Sequence, residues 1–387
     1  MLTPGLGPAT QRKLLAAFGL PQGVFAQSHG SIARTVGADA TRALLAGPRP
    51  GAVEEALAWA AEPGNHLLTL ADEVYPPILF EIADPPLVLY VKGDPARLAR
   101  PALAMVGARA ASPQGEANAS AFARALSEGG FTIVSGLAQG IDAAAHRGAL
   151  EAEGGCTVAV IGTGADRIYP AGNAALARAI AAQGVIVSEF PLGTPPKREN
   201  FPRRNRLIAG LAQGVLVVEA AIGSGSLITA RLALEAGREV FAIPGSIHAP
   251  LARGCHRLIR EGAKLVETAE DVFEELRGRL GQTLPVRPPR GLGRAATLRA
   301  APVSSSASPP QAPFSPKATP AFEAALSPEA ARVLEALGDE ARDIDTLALA
   351  SALSVDVLQT TLLALELEGG IVRLPGGRFQ RLHGQYR

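Results

Sequence analysis

From residue 101 to residue 276 the chain repeats one unit: a short run of Val, Ile, Leu and Ala, a turn rich in Gly or Ser, then a stretch of helix length. Such runs read as parallel strands buried on both faces, and their alternation with helices points to a doubly wound parallel sheet. Strands are expected at Leu103 to Val106, Phe131 to Val134, Thr157 to Ile161, Val185 to Val187, Val215 to Val218, Val240 to Ile243 and Lys264 to Val266. Right-handed crossovers bring the turns after these strands to one edge of the sheet, where open α/β sheets hold their ligands.

The densest part of that edge is FPRRNRLIAGLAQGVLVVEAAIGSGSLIT, residues 201 to 229. We expect a proline-broken loop carrying Arg203, Arg204 and Arg206, an apolar helix through Leu207, Ile208 and Leu211, and a buried strand from Val215. The loop Ile222-Gly223-Ser224-Gly225-Ser226 then opens a helix from Leu227 to Ala236. Free amides, two hydroxyls and a positive helix end converge there, which suits phosphate, and nearby arginines suit a ligand with many phosphates. Gly107-Ala108-Arg109 sets a guanidinium just past another strand. The run Ser135-Gly136-Leu137-Ala138-Gln139-Gly140 lets backbone approach a ligand closely. Phe201 beside the cations is either a platform for an unstacked base or packing against Pro202. Asp142 and His146 lie one helical turn apart; metal ligation or acid–base chemistry is conceivable, but no third ligand lies near, so a structural Asp–His hydrogen bond is expected.

A formal net charge of +1 over 387 residues excludes a uniformly basic DNA-coating protein, so any contact with nucleic acid must come from local clusters. The two cysteines, Cys156 on a strand and Cys255 in a loop, have no metal-binding spacing and are expected to be unpaired in a reducing cytoplasm. No apolar run is long enough to span a membrane, and a soluble cytoplasmic protein is expected. A Walker loop and GxSxG are both missing, and Gly162-Thr163-Gly164 continues as Ala165-Asp166-Arg167, which breaks a dinucleotide fingerprint. With neither a nucleophile nor a metal set, the edge reads as a binding surface, with no catalytic residue, no metal and no cofactor.

Four regions are expected. Residues 1–64 form a helical module with apolar stripes at Leu14, Leu15, Phe18 and Leu20 and at Ala56, Leu57 and Trp59; its Pro4-Gly5-Leu6-Gly7-Pro8 turn is similar to that of helix-hairpin-helix modules but is read as a turn that shapes the chain. Residues 65–277 hold the sheet, with 66–93 attached at its edge. Residues 278–322 are rich in Pro, Ala and Ser, carry only basic charge, and read as a disordered linker. Residues 323–387 return to helical spacing at Val333, Leu334 and Leu337, at Ile344, Leu347 and Leu349, and at Val357, Leu358, Leu362, Leu363 and Leu365, then a hairpin: a winged helix. Neither Lys nor Arg occurs from Asp343 to Val372, and Asp356, Glu366 and Glu368 lie on or beside its third helix, which argues against reading of a major groove.

Taken together, VGARAASPQG (106 to 115), VSGLAQGIDAAAH (134 to 146), IGTGADRIYPAGN (161 to 173), SEFPLG (188 to 193), FPRRNRLIAGL (201 to 211), VVEAAIGSGSLITA (217 to 230) and PGSIHAPLARGCHRLIREGAKLV (244 to 266) resemble the DNA-processing protein A (DprA, or Smf) family. The resemblance implies an extended Rossmann-type, mostly parallel sheet between an N-terminal helical (helix-hairpin-helix or SAM-like) domain and a C-terminal winged helix. It implies a homodimer that binds single-stranded DNA, including DNA covered by single-strand-binding protein, and loads the recombinase RecA onto it in natural transformation and recombination. The family is assigned no reaction. Carried over by position, Gly107, Arg109, Ser135, Gly136, Phe201, Arg204, Asn205, Arg206, Ser224, Gly225 and Ser226 would line the phosphate pocket, with Phe201 on a base. Lys197, Arg198, Arg203 and Lys264 would extend the track. Two positions depart from the family: Gly223, where a cation is common, and Ala108, where a hydroxyl is.

The rival reading is a nucleotide-binding enzyme of the lysine-decarboxylase-like (phosphoribohydrolase) group, which shares an extended Rossmann core. That group resembles PGGxGTxxE, whose glutamate supports glycosidic cleavage; the corresponding loop here, Gly223 to Thr229, has no glutamate at the needed place.

Overall fold

The computed structural model describes residues 2–280, 327–338, 341–367, 370–374 and 378–381. The chain divides into two compact units, residues 1–289 and 290–387. The first begins with α1 (Pro8–Phe18), α2 (Pro21–Phe25), α3 (His29–Val36), α4 (Ala38–Ala46) and α5 (Ala52–Ala60). Pro8 sits in the first turn of α1, where its missing N–H would have had no helical partner anyway. Leu6, Leu14, Val24, Ile32 and Leu44 close a small core. The two expected stripes are only partly inward: Leu20 and Leu57 are exposed. Ala56 and Trp59, three apart, share a face, whereas Leu57 is rotated about 100° from Ala56. Trp59 packs edge-on against Tyr90, ring centroids 5.5 Å apart, and joins this module to the sheet.

The strands are β1 (Asn65–Thr69), β2 (Val88–Gly93), β3 (Ala102–Val106), β4 (Thr132–Ser135), β5 (Cys156–Val160), β6 (Val185–Ser188), β7 (Gly214–Val217), β8 (Glu239–Ala242) and β9 (Lys264–Leu265). They form one sheet in the order β1-β2-β6-β5-β4-β3-β7-β8-β9. From β6 to β9 every pairing is parallel, while β2 is antiparallel to β6 and β1 to β2, the edge attachment expected of residues 66–93.

Period-two alternation sorts side chains to the two faces. On β3, Ala104 and Val106 join Val215 and Val217 of β7 in one core, and Leu103 and Met105 join Leu216 in the other. The first face is covered by α9 (Asn200–Gly210), α10 (Gly225–Glu235) and α11 (Arg253–Arg260); the second by α6 (Pro113–Glu128), α7 (Ile141–Glu151) and α12 (Ala269–Leu280). Helix α8 (Ala174–Gln183) packs with β5 and β6 in a smaller cluster. Sequence order runs outward from β3 to β6 on one side and from β7 to β9 on the other, so the winding reverses between β3 and β7.

Two expectations change here. Cys255 lies on α11, not in a loop; it is buried, with its thiol pointing to the carbonyls of Val217 and Val218 at 3.6 Å. Residues 278 to 280 belong to α12. The remainder of the expected linker, 281–322, lies outside the described residues.

The second unit contains α13 (Pro328–Leu337), α14 (Ile344–Ser351), α15 (Val355–Leu367) and a three-stranded sheet of β10 (Arg342–Asp343), β11 (Ile371–Leu374) and β12 (Arg378–Arg381), ordered β10-β12-β11. Ser327 caps α13 by accepting from Ala330 N, and Asp343 caps α14 through Thr346 N at 2.8 Å. Val333, Leu337, Leu347, Leu358 and Leu362 are buried together. Leu349, expected beside Leu347, is exposed, since residues two apart on a helix point to nearly opposite sides. Three helices with a small antiparallel sheet make the expected winged helix.

Candidate nucleic-acid interface

Where the winding reverses, the loops leaving β3 and β7 diverge and open a crevice at the carboxyl edge. Ser226 bridges it, its hydroxyl donating to the Gly107 carbonyl at 2.8 Å. Three helices start along this rim, and their positive ends differ in what they hold. At α6 the end is taken by Glu219, which accepts from Ser112 N at 2.9 Å and Ser112 Oγ at 2.5 Å. Gly115 makes room for that carboxylate: a Cβ there would lie 2.4 Å from Glu219 Cδ. Burial raises the Glu219 carboxyl above its ordinary range, and the bonds from Ser112 oppose it. In the turn leading into α7 the carboxylate of Asp142 accepts from Gly136 N at 3.1 Å and Ala138 N at 3.4 Å, and the first amide of the helix, Ile141 N, donates to the Ala108 carbonyl at 3.2 Å. At α10 the first turn carries no acidic residue, Gly225 is exposed, and the buried Ser224 Oγ has no hydrogen-bond partner among the described residues. The amides of Ser224 and Leu227 are spent on the carbonyls of Ala221 and Ser224 at 3.1 Å, so the exposed Gly225 is where backbone at this helix start meets an external anion.

Beside this rim is a pocket lined by Arg109, Gly136, Ala138, Gln139, Tyr169, Pro170, Phe201 and Arg204. Arg204 crosses its floor, buried, with Nη1 donating to the Val160 carbonyl at 2.6 Å. The guanidinium lies against Gly136, where a Cβ would come within 1.9 Å of Nη1, so any larger residue would push it aside. Burial pushes the Arg204 pKa down to about 10, against the pull of Asp142 and with the help of Arg109, so the group stays cationic at neutral pH. Asp142 is the counter-charge: burial raises its carboxyl, while Arg204 and the two amides hold it toward the ionised form. Arg109 is exposed, makes no ion pair among the described residues, and rests over the Phe201 ring with Cζ 5.5 Å from the centroid.

The arginine run does not sit on a loop. Phe201 and all three arginines belong to α9, and the helical turn sends them to different places. Arg204 turns toward the pocket. Arg203 pairs with Glu189 at 3.3 Å and stacks on Phe190 at 5.3 Å. Arg206 is buried between Glu189, which it contacts closely, and Asp84, at 2.9 Å from Nε. Arg206 is thus committed to an internal ion-pair cluster, and Arg203 is half committed. Asn205 reaches the Gly225 carbonyl at 3.5 Å, linking α9 to α10.

Ser135 is fully buried, and its hydroxyl donates to the Met105 carbonyl at 2.6 Å, so it offers nothing to a ligand in the pocket. Gly136 lines the pocket, but its N–H is spent on Asp142. Lys264 lies on the outermost strand, β9, paired with Glu275 at 3.3 Å, two strands away from the crevice. Lys197 and Arg198 are exposed just before α9 and make no ion pair among the described residues. Asp142 and His146 do not bond to each other. His146 Nδ1 lies 2.7 Å from Thr157 Oγ1, whose proton goes to the Ile133 carbonyl, so Nδ1 is the donor. Among the described residues no group of three His, Cys, Asp or Glu is placed to hold a metal.

The residues so placed describe a doubly wound α/β protein whose switch-point edge is arranged for an anionic, nucleotide-like ligand. Residues 66–277 match the family model described as DNA recombination-mediator protein A, and residues 316–377 match the DprA winged helix domain. The chain belongs to the DNA recombination-mediator protein A family. Over 336 residues it is 43% identical to Protein Smf of Escherichia coli K12, covering 86% of this chain and 82% of that one. It is 50% identical over 207 residues to DNA processing protein DprA of Streptococcus pneumoniae R6, covering 54% and 73%. The X-ray structure of the Streptococcus pneumoniae protein superposes with a TM-score of 0.64 at 41% identity, covering 70% of this chain and 94% of that chain. DNA processing protein A of Helicobacter pylori, whose structure concerns a single-stranded DNA binding mode, superposes at 0.50 with 31% identity, covering 54% and 95%.

Proposed function

We propose that this chain is a single-stranded DNA-binding recombination mediator that holds its ligand along the carboxyl edge of the sheet. One observation carries the reading: along the carboxyl edge of the sheet, Arg109 after β3 and Lys197 and Arg198 between β6 and α9 are exposed and make no ion pair among the described residues, and the N-terminus of α10 after β7 carries no acidic residue. Phosphates meeting these groups give affinity without sequence preference. The position of Gly107, Asn205, Ser224, Gly225 and Ser226 around the same crevice supports their inclusion in the site, through backbone donors more than side chains.

In this reading the protein works as a homodimer in the cytoplasm, brings a RecA-type recombinase onto strands that carry single-strand-binding protein, and catalyses no reaction. Residues 1–64, 65–277, 278–322 and 323–387 are proposed as helical module, DNA-binding domain, linker and winged helix. Family membership supports each of these points.

The test is titration of a labelled oligothymidylate and a duplex of equal length at several salt concentrations. Tighter, salt-dependent binding of the single strand is expected. No binding of the single strand would overturn the proposal, and release of free base from nucleoside monophosphates would replace it with the phosphoribohydrolase-like enzyme.

A further inference from the structure

We propose that Tyr169, rather than Phe201 alone, is a stacking platform for a nucleobase. The inference rests on the reading that the chain binds single strands, and names the residue that receives the base. Phe201 is the aromatic nearest the cations, but its ring is already in use. Arg109 lies over it at 5.5 Å, and its edge lies against Gly162, whose Cβ, if present, would be 3.1 Å from Phe201 Cδ1. Tyr169 meets Phe201 at 5.6 Å between centroids with the planes tilted by 42°, and stays 42% exposed. The tyrosines of the core, Tyr75 and Tyr90, are 2% and 1% exposed, so Tyr169 is not a packing residue of that kind.

Its segment is also held in place. Thr163 Oγ1 donates to the Arg167 carbonyl at 3.0 Å before it, and behind it Asn173 Nδ2 donates to the carbonyls of Leu137 and Ala138 at 3.0 and 3.2 Å. The ring is thus presented on a wall closed on itself and fixed to the β4–α7 turn of the rim, which limits the ordering cost of a stack. Arg109 and Tyr169 share Phe201 as a neighbour. Both also line the same pocket, so a nucleotide whose phosphate engages Arg109 is within reach of Tyr169 with its base, and an aromatic face accepts any base.

Tyr169→Ala, Tyr169→Phe and the parent protein are compared on an oligothymidylate and on an abasic sugar-phosphate oligomer of equal length. Tyr169→Ala should bind the oligothymidylate roughly 5- to 150-fold more weakly. Tyr169→Phe should bind like the parent, all three should bind the abasic oligomer alike, and the salt slope should not change, since no charge is removed. Equal affinity of Tyr169→Ala and parent for the oligothymidylate would overturn the inference. So would an equal loss on the abasic oligomer, which marks a structural role. If the parent itself fails to bind the oligothymidylate, the proposed function falls first.

Discussion

Arg206 and Arg109 separate two uses of the same side chain. Arg206 is a buried guanidinium facing Glu189 and Asp84, and breaking such a pair strands the remaining charges. Arg206→Ala should cost about 3–5 kcal/mol of stability in urea unfolding, and its folded fraction should keep the parent's salt slope. A stable variant with a shallower slope would return Arg206 to the ligand. His146 gives a pH test. Burial lowers its pKa from 6.5 to about 3, so the folded chain keeps it neutral while the unfolded chain takes up a proton below pH 6.5. Stability is therefore lost as pH falls through that window, by about 2 kcal/mol between pH 7.5 and 5. His146→Gln should flatten this loss, and parallel curves for parent and variant would argue against a buried neutral imidazole. Burial likewise pushes the Cys255 thiol up to about 12, so it should resist alkylation at pH 8 until denaturant is added. At this scale the sequence showed which residues are chemically apt, but not how they are spent. Glu189 and Asp84 lie in other segments of the chain, and nothing near Arg206 announces them. The only trace of Glu219 is a carboxylate directly after a buried strand.

Elements were far more legible than their contents. Each strand from Leu103 to Val266 lies within a residue or two of its expected place; those from β3 to β8 are largely buried on both faces and so must be largely apolar, while β9 at the edge is exposed. The start of α9 was missed because Pro202 reads as a breaker, whereas a proline in the first turn removes an N–H that had no helical partner. That shift matters for the site, since a helix fixes Arg203, Arg204 and Arg206 on separate sides where a loop would have let them gather. The β4–α7 turn is tuned to Arg204 in the same way. Gly136→Ala should displace that guanidinium from the Val160 carbonyl and weaken single-strand binding at least as much as Arg204→Ala. Binding by Gly136→Ala equal to the parent would mean that the floor of the pocket is not part of the site. On α15, the absence of any Lys or Arg predicts that removing residues 323–387 changes single-strand affinity by less than about threefold, and a larger loss would bring the winged helix into the interface.

Across the whole molecule, the net charge of +1 hides an uneven distribution. Most cations near the sheet edge are neutralised by Glu189, Asp84, Asp142 or Glu275, and the start of α6 and the amides of the β4–α7 turn are taken by the chain's own carboxylates. Among the described residues, Arg109, Lys197 and Arg198 remain exposed without an ion pair along the carboxyl edge, as does Arg253 at the start of α11 beside the loop after β7. The most direct measurement is the dependence of oligothymidylate affinity on salt, for the parent and for Arg109→Ala combined with Lys197→Ala and Arg198→Ala. Removing one cation from a phosphate should lower the slope of log K against log salt by about 0.7, so the triple variant should be shallower by about two. An unchanged slope in a folded triple variant would contradict the account.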